Sequence, residues 1–182
     1  MDERRETYRT PLLTGLFRDR ESAERAYGSL TERGYTRDDV TLMMSEEARR
    51  RHFGDGHDTE LGSKAAEGAG VGAAVGGGLG ALLAGLAAAG TIALPGVGLI
   101  ALGPVAAALA GGAVGAASGG IVGALIGAGI PEERAREYES GIREGGILMG
   151  VTPRSEDDAE HFERQWQANR GERIYRDRRE AA

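Results

Sequence analysis

Cysteine is absent from all 182 residues, so the chain has neither a disulfide framework nor thiol chemistry. Basic residues form no stripe: 22 arginines and lysines are interleaved with 28 acidic residues, for a net charge of −6. Without a patch that neutralises phosphates, nucleic acid is not an expected partner. No Gly-Lys-Ser/Thr sequence occurs, which excludes a P-loop. No nucleophile has a base and an orienting partner in a recognisable pattern. The expectation is therefore not an enzyme, with no cofactor and no small-molecule substrate. No apolar stretch of signal-peptide length follows the opening MDERRETYRT, so it does not read as a secretory signal, and any membrane insertion would use an internal segment.

The most informative absence is that of charge itself. From Gly68 to Pro131 the chain runs 64 residues without one charged side chain, and every charged residue lies in the flanks. Within that block, glycine recurs on a four-residue grid. One row is Gly68, Gly72, Gly76 and Gly80, continued by Ala84 and Ala88; the other is Gly111, Gly115, Gly119, Gly123 and Gly127. Positions four apart share one face of an α-helix, so each row predicts a smooth stripe on which helix backbones approach closely. Glu67–Ala89 and Pro104–Gly129 are each long enough to cross a bilayer, which takes about 20 residues. The Pro95-Gly96 turn signal falls between them. The expectation is a glycine-zipper helical hairpin over 68–130 with both ends on one side of a membrane.

Two environments suit such a block. Lipid would satisfy Leu79, Leu82, Leu83, Leu86, Ile121, Val122, Leu125 and Ile126 and leave the glycine faces to pair. A soluble homo-oligomer could instead bury the hairpins among sister subunits as a scaffold or compartment. A pore is a third reading, opposed by a block whose polar side chains are only Thr91 and Ser118. Arg49–Arg51 and Lys64 before the block, with Arg134 and Arg136 after it, put both flanks on the cytoplasmic side of an inner membrane. The alternative location is a cytoplasmic assembly. Expected partners are thus a lipid bilayer and the protein itself.

Two other motifs resolve to plain structure. Gly70-Val71-Gly72-Ala73-Ala74-Val75-Gly76 resembles a dinucleotide fingerprint, but a helix-like stretch precedes it where that motif needs a strand. His52, Asp55, His57, Asp58 and Glu60 are possible metal ligands whose spacing fits no zinc or calcium pattern. Residues 46–67 read as a solvated linker, helical at most at its ends, and no metal is expected.

The flanks carry alternating strand and helix signals. Leu12–Phe17 reads as a buried strand. Glu21–Arg33 reads as a helix with Ala23, Ala26, Tyr27 and Leu30 inward and Gly34 as its stop, and Val40–Met44 as a second strand. After the block, Pro131 at a first helical position opens a helix with Ala135, Tyr138 and Ile142 inward, ended by Gly145-Gly146. Ile147–Val151 follows as a strand, then a helix from Ser155 with Ala159, Phe162 and Trp166 inward, stopped by Gly171, then an edge strand over Glu172–Arg176. His161 points off that apolar face and is expected to be exposed.

Aligning Gly15 with Gly150 matches the first strand to the third. With one-residue gaps, Ala23, Ala26 and Leu30 then fall on Ala159, Phe162 and Trp166, and Gly34 on Gly171. The chain reads as an α+β domain of two β-α-β halves, 1–45 and 131–176, sharing one sheet, with a tail over 177–182. The flanks are long enough to fold as an independent domain.

Leu13-Thr14-Gly15-Leu16-Phe17-Arg18-Asp19, Ala23, Ala26, Leu30, Gly34-Tyr35 and Asp39-Val40-Thr41-Leu42 together resemble the bacterial heat-induced general stress protein family. Pro131-Glu132, Tyr138, Gly141 and Gly145-Gly146-Ile147-Leu148 extend the likeness to the second half. Members often carry a glycine-rich apolar insertion. The resemblance implies a stress-related bacterial protein with a ferredoxin-like α+β domain and no established catalysis, and it carries over no functional residues.

Overall fold

In the computed structural model, the described residues are 12–53, 92–94, 99–103, 121–123, 125–127 and 129–176. They form an α+β arrangement around one antiparallel sheet. Strands β1 (Leu13–Phe17), β2 (Val40–Ser45), β3 (Ile92–Leu94), β4 (Leu99–Leu102), β5 (Ile147–Val151) and β6 (Glu172–Arg176) lie in the order β3-β4-β2-β5-β1-β6. Helices α1 (Arg20–Thr31), α2 (Glu46–Phe53), α3 (Glu132–Arg143) and α4 (Glu156–Ala168) cover it.

The sheet interleaves the two ends of the chain. β5 pairs antiparallel with β1 from Leu13↔Val151 to Phe17↔Ile147, and with β2 from Val40↔Val151 to Met44↔Ile147. β1 and β2 are therefore parallel and separated by β5, and α1 crosses between them. In the same way β5 and β6 flank β1 and are joined by α4. Connecting parallel strands requires such a crossover.

Strand alternation divides the core in two. One face carries Leu13, Phe17, Val40, Leu42, Met44, Ile147, Met149 and Val151, packed on α1, α4 and Ala48 of α2. The other carries Leu16, Met43 and Leu148 against Ala135, Tyr138 and Ile142 of α3. Both faces of β1 and β5 are buried, so these strands read as continuous apolar runs rather than as alternation.

Helix ends follow one pattern. Tyr35 N–H donates to Leu30 O and Gly34 N–H to Thr31 O, with Gly34 at φ 75°. The same pair of bonds closes α3 at Gly145-Gly146 and closes the helical residues 125–127 at Gly129-Ile130. This motif needs a left-handed residue, usually glycine, just past the helix. In α4 that residue is Arg170, at φ 61°, and not the Gly171 expected from sequence. Gly171 comes one position later, where a Cβ would lie 2.7 Å from the Trp166 carbonyl oxygen.

That shift corrects the internal alignment. Asp19 and Ser155 are the two N-caps, and Gly34 and Arg170 the two left-handed caps. With Ala23/Ala159, Ala26/Phe162 and Leu30/Trp166, they align α1 and α4 without a gap. In the strands, Gly15 lies on the Trp166 face and Gly150 on the opposite face beside Leu12, so the Gly15–Gly150 alignment is out of step by an odd number of residues and reverses the faces.

Three further expectations are revised. Pro131 is the N-cap of α3, not its first helical residue. Residues 46–53 are a helix of the domain rather than linker, with Ala48 fully buried and Phe53 against the core. His161 is half-buried, with its Nε2 out of contact with water.

Gly28 lies in α1, and a methyl group placed there would meet nothing within 4 Å, whereas at Gly141 a methyl would overlap the Leu16 side chain. Gly28→Ala should stabilise by about 0.5–1 kcal/mol through helix propensity. Gly141→Ala should destabilise by about 1–3 kcal/mol through overpacking. Urea denaturation of both variants checks the opposite signs.

Candidate functional site

The residues singled out from sequence are the two glycine rows. Gly68, Gly72, Gly76, Gly80, Ala84, Gly111, Gly115 and Gly119 lie outside the described residues. Gly123 and Gly127 lie within them, in the helical residues 121–123 and 125–127. Ile121 and Leu125, four apart, are buried at 2% and 0% exposure in the same apolar cluster as Tyr138, Leu148 and Met43. Gly123 and Gly127 are two positions further round the helix from each, about 200° away at 3.6 residues per turn. Gly123 is half-buried and Gly127 exposed, with Ile126 beside them at 44% exposure. Gly123 and Gly127 therefore face away from the sheet.

The residues between the two rows are not a bare turn. β3 and β4 form an antiparallel hairpin, and β4 pairs with β2 from Leu42↔Leu102 to Ser45↔Leu99. Gly103 ends β4 at φ 91°, where a Cβ would overlap the Val40 carbonyl oxygen. Thus Ala101, Ile121, Leu125 and Ile130, all from the uncharged block, complete the second apolar cluster. The block thus contributes to that cluster beside the flank residues Leu16, Met43, Ala135, Tyr138, Ile142 and Leu148.

The chain enters the block through a clamped exit. His52 Nε2 is 3.1 Å from Gly145 O, and Arg20 donates to His52 O at 3.3 Å while lying 5.1 Å over the Phe53 ring. His52 is thereby engaged with the cap of α3. Asp55, His57, Asp58 and Glu60, the other possible metal ligands, lie outside the described residues. Among the described residues, no three metal-ligating side chains cluster, and no helix is long and apolar enough to cross a membrane.

Two polar groups fix the platform beneath. Tyr138 Oη donates to Arg173 O at 2.6 Å and is 2.8 Å from Thr14 Oγ1, which is then the donor between them. Burial pushes the Tyr138 phenol up to about 12. Near it, an apolar void of ≈ 10 Å³ lies between Thr14, Thr41 and Gly150 of the sheet and the roof of Leu125 and Ile130. That is room for about one water and for no substrate.

At the far end, Tyr35 Oη donates to Asp158 at 2.8 Å and accepts from Arg154 N–H at 2.5 Å. Arg33 pairs with Asp157 and Asp158, and Arg154 with Asp39. Ser155 caps α4 by accepting from Asp158 N–H, the one half of a capping box this sequence completes; the Asp158 carboxylate turns to Arg33 and Tyr35 instead. Every carboxylate in this group has a cation or hydroxyl on it, which makes the group a brace between the ends of α1 and α4.

Compared with known proteins, the chain matches no family model, no curated protein and no solved structure.

Truncating Leu125 to alanine should cost about 2–5 kcal/mol, as for buried leucines generally. Ile126→Ala, on the exposed side, should stay within about 0.5 kcal/mol. Thermal unfolding distinguishes the two.

The brace also sets an acid response. Asp39 lies below its ordinary 3.8 through the Thr36 N–H bond and Arg154. For Asp158, burial pushes upward, but the bonds from Arg33 and Tyr35 outweigh it and the net shift is downward. Groups lowered on folding stabilise above their unfolded value and lose that contribution as pH falls through the folded one. Stability should therefore fall below about pH 4, and Asp39→Asn with Asp158→Asn should flatten the fall in urea titrations from pH 5 to pH 2.

Proposed function

We propose that this protein is a non-enzymatic bacterial stress-related module. A ferredoxin-like platform carries a glycine-row insertion through which copies self-associate and anchor to the inner membrane, with both flanks cytoplasmic. The β6-β1-β5-β2 order and its two crossovers support the ferredoxin-like reading. The observation that carries the function is the two-sidedness of residues 121–127: Ile121 and Leu125 are committed to the platform, and Gly123 and Gly127 face outward. An outward stripe without side chains is a surface for another helix, and the charge-free run supplies a partner surface of the same kind.

A soluble homo-oligomer is the second reading, and the pairing of β4 with β2 favours it. That pairing keeps the connector between the glycine rows on the platform.

Gly127→Leu and Gly119→Leu should reduce oligomer size, whereas Ala81→Leu, off the rows, should not. Because Gly127 faces away from the core, its substitution should leave the unfolding temperature of the platform unchanged. Sizing and thermal unfolding of the three variants test the surface; equal effects at all three positions would refute it. Alkaline carbonate extraction of membranes separates anchoring from a detergent-free soluble assembly.

A further inference from the structure

We infer that the sheet holds the insertion in a stored form, and that the β4–β2 pairing is an autoinhibitory contact which must open before the insertion enters a bilayer. This rests on the membrane-anchoring reading. A hairpin that crosses twice and returns to its own side must carry its connector to the far side. Here the connector supplies β3 and β4, hydrogen-bonded to β2 between the two flanks. The second arm is held at both ends: Gly103 lies against Val40, and Ile121 lies in the cluster with Met43 and Ala101. Only residues 104–120 lie between these two anchor points, at the short limit of the about 17–25 residues a crossing takes. Release of Ile121 and Leu125 from the cluster gives Pro104–Gly129 the ordinary length.

The stored elements are built to separate. β3 and β4 occupy one end of the sheet, so their departure leaves β2-β5-β1-β6 with every pairing intact. No charged side chain lies anywhere in the block, so nothing charged has to cross. The contact is also tight at one point, Gly103, where a side chain would strike the Val40 backbone.

The chain's lack of cysteine makes a unique lock possible. Ser45→Cys/Leu99→Cys and Met44→Cys/Ile100→Cys each join directly opposed β2–β4 residues. Such pairs have Cα atoms about 4.5–5.5 Å apart, within disulfide range. Full-length oxidised and reduced proteins would be mixed with phosphatidylethanolamine/phosphatidylglycerol vesicles, extracted with alkaline carbonate and floated. Reduced protein should integrate, and oxidised protein roughly tenfold less or lower still. Gly103→Ala, which unseats β4, should integrate more than the parent chain. Circular dichroism of each form verifies the fold, and where one lock fails to fold, the other lock and Gly103→Ala decide. Equal integration of oxidised and reduced forms overturns the inference and leaves anchoring standing; integration by no form, reduced or parent, overturns both.

Discussion

Every other feature hangs on the backbone ladder of β5. It lies between β1 and β2, and each of its residues from Ile147 to Val151 is paired on both sides. Neither β1 nor β2 touches the other, so the first β-α-β half has no sheet until the second half arrives. Once β5 is placed, α1 and α4 fall side by side on one face and α3 on the other. The brace of Arg33, Tyr35, Arg154 and Asp158 then spans the two halves. Most remaining ion pairs are exposed and within single helices, such as Arg136–Glu132 and Arg143–Glu139. Pairs of that kind contribute little each, so pairing and apolar burial carry the fold.

The uncharged block belongs to that fold as much as to any partner. It lends a strand to β2 and a roof to the second face, and in exchange its own aliphatic side chains at 121 and 125 are hidden. Where the block meets the platform it is divided by direction: Ile121 and Leu125 are turned toward the sheet, and Gly123, Ile126 and Gly127 away from it. The same division lets one stretch of chain complete a core on one side and leave glycine backbone open on the other.

How much of this is legible in the sequence varies with what holds each element. β1, α1, β2, α3, β5 and α4 are readable because their apolar spacing and their caps are local signals, as at Leu30-Gly34 and Ser155. β3 and β4 are not, because three- and four-residue runs beside Pro95-Gly96 have no period, and their order comes from β2. Helix at the start of 46–67 is allowed for by the sequence, but its packing on the domain is not, because Ala48 and Phe53 are too sparse to form a visible face. Gly171 attracts the role of helix stop by its identity, although geometry gives that role to Arg170. The two glycine rows are plain in sequence, but the outward direction of Gly123 and Gly127 depends on knowing where Ile121 and Leu125 go.

The position of β5 in the chain has a consequence for biosynthesis. A ribosome completes β2 at Ser45 and does not complete β5 until Val151. At elongation of about 5–20 residues per second, roughly 5–20 s pass between the two. Throughout that interval the uncharged block is leaving the ribosome's active centre without the seat that later receives Ile121 and Leu125. Until β5 is made, the block's side chains at 121 and 125 have no finished sheet face to pack on.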